Sequence, residues 1–255
     1  MTYEPKILLI DIETAPSLGW YFDKYKENNI LEVEQDWYII SFAYKWYKKG
    51  KIEVFALPDF PLYKRDKKSD YQLVAKIYEL LEAADIVIGH NGDKFDIKKI
   101  NARLIFHRFT PPAPYKTADT LKIARRVQDS GSNRLDSLAR YYGIGRKLPH
   151  TGTHLWLSCL RGDPKAWDNM RKYNKHDVHL LDKLYPLLLP WAPTHPNLTL
   201  YTGRLATCPR CLGASLQKRG YRVYHTRIYQ GYYCKDCGYY PTGEPIQIKA
   251  NIKMK

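Results

Sequence analysis

The run Lys6-Ile7-Leu8-Leu9-Ile10-Asp11-Ile12-Glu13 constrains this chain more than any other segment. An apolar run of this length reads as a strand covered on both faces, which requires a layer of structure on each side. Yet it ends in two carboxylates at i and i+2. Period-two geometry points both to the same face. Two acids on one face of a buried strand repel each other and are costly to bury without cations. By itself the pair is equally compatible with a strand end whose acids meet solvent or a lysine.

The rest of the chain supplies the layers. The aromatic, β-branched segment from Trp37 to Tyr47, the turn at Lys48-Lys49-Gly50-Lys51 and the run Ile52 to Leu57 predict a hairpin. A Pro- and Lys-rich loop is expected over 58–69. Leu73, Val74, Ile77, Leu80 and Leu81 recur at helical spacing within 71–84. A short strand is expected over 85–91, and Phe95-Asp96 opens a helix with Ile97, Ile100, Leu104 and Ile105 on one stripe. Beyond the proline-rich break at 111–114, a strand near 115–118 leads into a helix through Leu121, Ile123 and Ala124. Ser132 and Asn133 are candidate caps for a helix carrying Leu135, Leu138 and Ala139, stopped by Gly143. A long helix over 164–188 is expected to be interrupted at Pro186. Strands in a meander followed by strands alternating with helices predict an α/β class, a mixed sheet flanked by helices.

Charge narrows the partner. The 255 residues carry 41 Lys+Arg against 26 Asp+Glu, a net charge of +15, and such a surface attracts polyanions, of which nucleic acid is the commonest. The excess is concentrated late: residues 201–255 hold ten basic and two acidic residues, interleaved with tyrosines. No basic-then-apolar leader opens the chain and no run approaches the roughly 18 apolar residues of a membrane span. A cytoplasmic protein without membrane contact is therefore expected.

The same C-terminal stretch carries two C-x-x-C pairs, Cys208/Cys211 and Cys234/Cys237, separated by 22 residues. In a chain without an export signal the pattern argues for metal rather than disulfides. Four thiolates from two tight turns make the closed tetrahedral site of a structural Zn²⁺, with a β-hairpin expected across 214–233. Cys159 stands apart and reads as a small buried apolar residue. Ala192–Thr199, with Pro193 and Pro196, reads as a linker, dividing the chain into a domain at 1–192 and a zinc ribbon at 200–255.

Two further pieces bear on the acids of the first strand. Asn91-Gly92-Asp93-Lys94-Phe95-Asp96 places an acid at a helix start, a position that ordinary helix N-termini also favour. Tyr173 and Asp177, four apart, fall on one helix face about a turn from each other. Together these pieces resemble the DEDD superfamily of 3′–5′ exonucleases: D-x-E on the first strand, N-x-x-x-F-D before a helix, Y-x-x-x-D late. The tyrosine branch is indicated, because the histidine branch carries His five residues before the last Asp, where this chain has Lys172. The phrases Tyr173-Asn174-Lys175-His176-Asp177 and Ser132-Asn133-Arg134-Leu135-Asp136 look like the proofreading domain of B-family DNA polymerases, and equally like stand-alone exonucleases of bacteria and phages.

That resemblance, spanning about 5–190, implies a ribonuclease H-like fold with a five-stranded sheet and two Mg²⁺ or Mn²⁺ ions. By motif, Asp11 would bridge both ions, Glu13 and Asp177 would help hold the nucleophile-side ion, and Asp96 the second. Tyr173 would orient the attacking water; Thr14, Asn91 and Phe95 would contact the terminal nucleotide. Asp93 and Asp182 lie off the matching positions. The expected activity is removal of 3′-terminal nucleotides, from DNA in preference to RNA, in a bacterial or phage-infected cell, beside a polymerase or a replication or repair complex. A nuclease fold kept as a DNA-binding adaptor and a metal-dependent endonuclease are the rival readings.

Overall fold

The computed structural model describes residues 3–22, 30–149 and 151–246. The chain divides into two compact units, Lys6–Tyr185 and a second running from Pro186 onward.

The first unit opens with β1 (Ile7–Thr14), a small hairpin of β2 (Leu18–Trp20) and β3 (Glu32–Gln35), then β4 (Ile39–Trp46) and β5 (Glu53–Ala56). There follow α1 (Tyr71–Ala83), β6 (Ile86–Gly89), α2 (Asp96–Phe106), β7 (Lys116–Asp119), α3 (Thr120–Val127), α4 (Leu135–Tyr141), α5 (Thr153–Leu160) and α6 (Pro164–Leu188). Five strands form one mixed sheet in the order β5-β4-β1-β6-β7. β1 is its centre: antiparallel to β4, with Asp11 opposite Ala43 and Glu13 opposite Ser41, and parallel to β6.

Alternation along β1 sorts its side chains. Leu8, Ile10 and Ile12 face a core shared with Ile40 and Phe42 of β4, Leu73 and Ile77 of α1, Ile100 of α2 and Met170 of α6. Each such side chain removed from water contributes about 1.5–3 kcal/mol. Asp11 and Glu13 therefore emerge together on the opposite face, near the carboxyl end of the strand. Pairing slips between Glu13 and Thr14, where the ladder to β4 is irregular.

The expected mixed five-stranded sheet with flanking helices is what the chain adopts. Several local expectations differ. Ser132 and Asn133 do not cap α4; its N-cap is Arg134, without a side-chain cap. Asn133 is occupied elsewhere, its amide oxygen accepting from Gln128 Nε2 at 2.5 Å and its carbonyl lying 2.9 Å from His90 Nε2. Nor is the last helix interrupted at Pro186, since α6 runs on to Leu188. A proline so near the C-terminus removes only one backbone donor, while Leu180, Leu181, Leu184 and Tyr185 anchor the preceding turns in the interior. The β2–β3 hairpin and α5 had no clear periodic signal.

The second unit contains α7 (Thr199–Thr202) and a three-stranded antiparallel sheet of β8 (Leu216–Val223), β9 (Ile228–Cys234) and β10 (Thr242–Ile246), in the order β10-β9-β8. β8 and β9 are the hairpin expected across 214–233; β10 adds a third strand. The segment read as a linker is held within this unit. Leu198 N donates to Pro209 O at 2.9 Å, and the buried Arg210 donates to the carbonyls of His195 and Pro193 while lying over the Tyr239 ring. Among the described residues no helix is long and apolar enough to cross a membrane.

One buried ion cluster pins α1, α2 and β4 together. Asp70, with no exposed surface, accepts from Arg103 Nε and Nη2 at 2.7 and 2.6 Å and from Ile39 N at 2.9 Å, with His107 Nε2 2.6 Å away. Removing one member strands the others in a medium that solvates charge poorly. Asp70→Ala is expected to cost about 3–5 kcal/mol, read as a lower urea midpoint at unchanged slope.

Candidate metal centre

Three elements bring acids to the carboxyl end of β1. Asp11 and Glu13 come from the strand itself, and Asp177 from the fourth turn of α6, where it is almost fully buried. One oxygen from each lies within 4.8 Å of the other two. Asp96, the first residue of α2, is not within that group. Its Oδ1 accepts the Ile12 amide at 3.0 Å, which fastens α2 to β1 between the two strand acids. It nonetheless acts on Asp11 more strongly than any other charge.

The electrostatics of four half-buried or buried acids are unfavourable as they stand. Burial, then repulsion from Asp96, Glu13 and Asp177, holds the Asp11 carboxyl well above the ordinary range. Burial followed by Asp177 pushes Glu13 up to about 8, and burial raises Asp96 to about 7 and Asp177 above its usual value. Asp177 Oδ1 is buried with no hydrogen-bond partner. A buried, unpartnered carboxylate oxygen aimed into a cluster of acids has the hard-oxygen chemistry that Mg²⁺ and Mn²⁺ take. The residues present fit such ions.

Residues that the motif reading did not assign hold this cluster in shape. Asn174, fully buried beside Tyr173, donates from Nδ2 to Asp11 Oδ2 at 2.6 Å and accepts Ser41 Oγ at 2.9 Å through Oδ1. Trp156 hydrogen-bonds Glu13. Lys147 places its ammonium 2.6 Å from Asp177 Oδ2 and 3.1 Å from the Tyr173 hydroxyl. Burial alone would lower the Lys147 pKa, but Asp177 and Tyr173 together raise it, so the amine is a resident cation. Asn174 could have been suspected from its place on the Tyr173–Asp177 face of one helix. Lys147 lies in a loop thirty residues before Asp177, and no periodicity points to it.

Tyr173 joins the cluster from α6 and hydrogen-bonds Asp177; burial and the nearby Asp177 charge push its phenol up to about 12. Asn91 lies in the turn after β6 with φ +68°, a left-handed backbone that Asn tolerates. The Asp119 carboxylate fixes that turn, accepting Asn91 N at 2.9 Å and also capping α3 through Leu121 N. A cleft of about 670 Å³ runs from Asp11, Tyr173 and Lys147 past Asn91 to Arg125 and Arg134. Thr14 and Phe95 do not line it: Thr14 ends β1, and Phe95 stands exposed just before α2. Asp93 and Asp182 pair with Lys122 and Lys45 respectively, outside the cluster.

Residues 23–189, well over half of the chain, match the RNase H superfamily. The chain belongs to the RNase H superfamily. The matched span contains Asp96, Tyr173 and Asp177 but begins after β1. Among solved structures, the family B DNA polymerase from the hyperthermophilic archaeon Pyrobaculum calidifontis is similar in fold, with a TM-score of 0.52 and 17% identity over 89% of this chain. The chain spans only 32% of that polymerase. No curated protein matches it in sequence. This RNase H-like chain thus presents its acids on a nuclease fold, where divalent cations are the customary ligands.

In the second unit the four cysteines converge as a separate group. Their sulfurs all lie within 4.8 Å of one another, with Cys208 Sγ 3.7 Å from Cys237 Sγ and Cys211 Sγ 3.6 Å from Cys234 Sγ. Those separations are far too long for disulfides and close to the edge of roughly 3.8 Å that four thiolates about 2.3 Å from a tetrahedral Zn²⁺ would have. The cluster fits that ion.

Two outcomes follow. Glu13 and Asp96 have folded-state pKa values above their ordinary 4.5 and 3.8, so the folded chain holds protons that the unfolded chain releases. Without divalent ions, thermal stability should fall as pH rises from about 4 to about 8. Added Mg²⁺ should restore it at the upper end, and Asp11→Asn should flatten the profile. Elemental analysis should find one zinc per chain, and Cys208→Ser should abolish it together with the amide-exchange protection of β8 and β9.

Proposed function

We propose that this chain is a two-metal-ion 3′–5′ exonuclease of the tyrosine branch of the DEDD superfamily, built as a catalytic domain over 1–192 and a zinc ribbon over 200–255. The observation that carries the reading is the triad Asp11, Glu13 and Asp177, whose oxygens lie within 4.8 Å of one another around a buried, unpartnered Asp177 Oδ1. Asp96, the acid whose charge acts most strongly on Asp11, would help hold a second ion.

Bound there, divalent ions supply an activated water and neutralise charge on the attacking and leaving oxygens of the phosphodiester. The protein's own groups do the positioning. Asn174 locks the Asp11 carboxylate, and the Trp156 hydrogen bond turns Glu13 toward it. With its phenol at about 12, Tyr173 keeps its proton at neutral pH. It therefore orients the attacking water through its hydroxyl rather than acting as a base. Lys147 holds the phenol oxygen and Asp177 in one arrangement.

Asn91, Arg125 and Arg134 offer amide and guanidinium contacts to the strand lying in the cleft. Thr14 and Phe95 are assigned to the terminal nucleotide by motif. In the second unit, Lys218, Arg219 and Arg222 on the exposed β8, with Tyr221 between them, suit phosphate contact and base stacking. DNA as substrate, and a place in replication or repair in a bacterial or phage-infected cytoplasm, follow from the motif resemblance to proofreading and stand-alone exonucleases.

Purified protein with Mg²⁺ or Mn²⁺ should shorten 5′-labelled single strands stepwise from the 3′ end, releasing nucleoside 5′-monophosphates, and a chelator should stop it. Asp11→Ala should lower the rate by about three orders of magnitude or more with the fold intact. Tyr173→Phe should lower it by about a hundredfold. Cleavage of a circular single strand at a comparable rate would convert the reading to an endonuclease, and an inert wild type that still binds DNA would convert it to an adaptor.

A further inference from the structure

The exposed face of α2 leads away from the carboxylates. Phe95 immediately precedes Asp96, whose side chain holds the β1 amide, so this face begins one residue from an acid fastened to β1. Helical periodicity places Phe95, Lys99, Ala102, Arg103 and Phe106 within one stripe about a quarter of the circumference wide. From Phe95 to Phe106 the stripe is roughly 16 Å long. Phe106 is 67% exposed and Phe95 39%, so two rings of one stripe face outward.

The cations along the stripe are held among these rings. Lys99 Nζ lies 3.5 Å from the centroid of Trp37 and 5.8 Å from that of Phe95. The Arg103 guanidinium lies 4.1 Å from the Phe106 centroid while its Nε and Nη2 donate to the buried Asp70, so it braces the ring and leaves the outer side of Phe106 open. Between Trp37, Lys68, Ala102 and Phe106 the surface sinks into a groove of about 360 Å³, with Gln35 and Asp36 at its rim. Ala102 is the small residue that makes room there. Lys68 lines the groove, and Lys99 lies over the ring of Trp37, which lines it too; Asp36 shares the lining, and its charge acts on Lys99.

Aromatic rings interleaved with lysines, on a helix that starts beside Asp96, have the composition of a single-strand platform: every base has a face to stack, and the lysines follow the backbone. We propose that the α2 stripe from Phe95 to Phe106, with Trp37, is the track on which the unpaired strand behind the scissile end is held, one base seating in the groove against Phe106 and the adjoining phosphate meeting Lys99. The track sets how firmly a single strand of several nucleotides is gripped, and leaves the chemistry at the carboxylates to the groups already described. It rests on the nuclease reading for its role but not for its existence, since binding is measurable without cleavage.

The test uses the full chain in chelator, with a fluorescent single-stranded oligodeoxynucleotide of about eight residues followed by anisotropy. Phe106→Ala should weaken binding about tenfold, the loss expected for one stacked base, and Phe106→Tyr should retain it. Lys99→Ala should reduce the slope of log affinity against log salt by about 0.7, the share of one phosphate on a single strand, whereas Phe106→Ala should leave that slope alone. In Mg²⁺, turnover of a dinucleotide, too short to reach the groove, should be the same in Phe106→Ala as in wild type. Wild-type affinity in both the Phe106→Ala and Lys99→Ala variants would overturn the track. So would a change in self-association, read by sedimentation, with nucleic-acid binding unaltered, because the face would then belong to a protein contact. An inactive wild type whose binding still responds to Phe106→Ala would sink the exonuclease reading and leave the track standing.

Discussion

Mutual repulsion among carboxylates at the end of β1 is the constraint around which the first unit is organised. Asp11, Glu13, Asp96 and Asp177 are brought together where water is scarce; burial makes all four harder to ionise, and neighbouring acids add to this at Asp11 and Glu13. The fold tolerates this because the cost is partly met from within. The Ile12 amide donates to Asp96, Asn174 to Asp11, and the Lys147 ammonium to Asp177. What those donors leave unmet, above all Asp177 Oδ1, is a demand for cations. Stability and function are opposed at one place, as is usual where a fold carries a site.

The scaffold that imposes this arrangement is apolar and rigid. β1 lies between β4 and β6 with Leu8, Ile10 and Ile12 in the main core, so the register of Asp11 and Glu13 cannot slip without moving apolar side chains out of it. α2 is set from both ends. Asp96 is fastened to β1 at its start, and near its end Arg103 and His107 close on the buried Asp70. The helix that carries an acid into the cluster therefore also presents Phe95, Lys99 and Phe106 in a fixed line leading away from it. The second unit follows a different logic. Its sheet is mostly exposed, β8 almost entirely so, and four converging thiolates stand where a larger domain would have a core.

Much of this was legible in the chain before any coordinates. The apolar run at 6–13, the helical stripe of 71–84 and the paired C-x-x-C turns each carry a local periodicity or spacing whose physical meaning survives folding. The missed elements lacked that local signal. Ser132 and Asn133 have the chemistry of caps, but Asn133 is claimed by Gln128 and His90, partners reached only through folding. Pro186 has the chemistry of a breaker, but the buried stripe of α6 carries the helix past it. In both cases a short-range preference worth about 1–3 kcal/mol yields to contacts distant in sequence.

The division within the site is of the same kind. Sequence alone determined which acids are available and which share a face, because strand and helix periods are properties of the backbone: Asp11 with Glu13, and Tyr173 with Asp177. Only the tertiary structure decided that these two pairs face each other, that Asp96 reaches β1 through a backbone amide, and that Lys147 and Asn174 supply the charge and the hydrogen bond keeping them together. Such juxtapositions join residues far apart in the chain, 163 positions in the contact of Asp11 with Asn174. No local pattern encodes them, since they are fixed by how the apolar faces of the sheet and its helices close on one another.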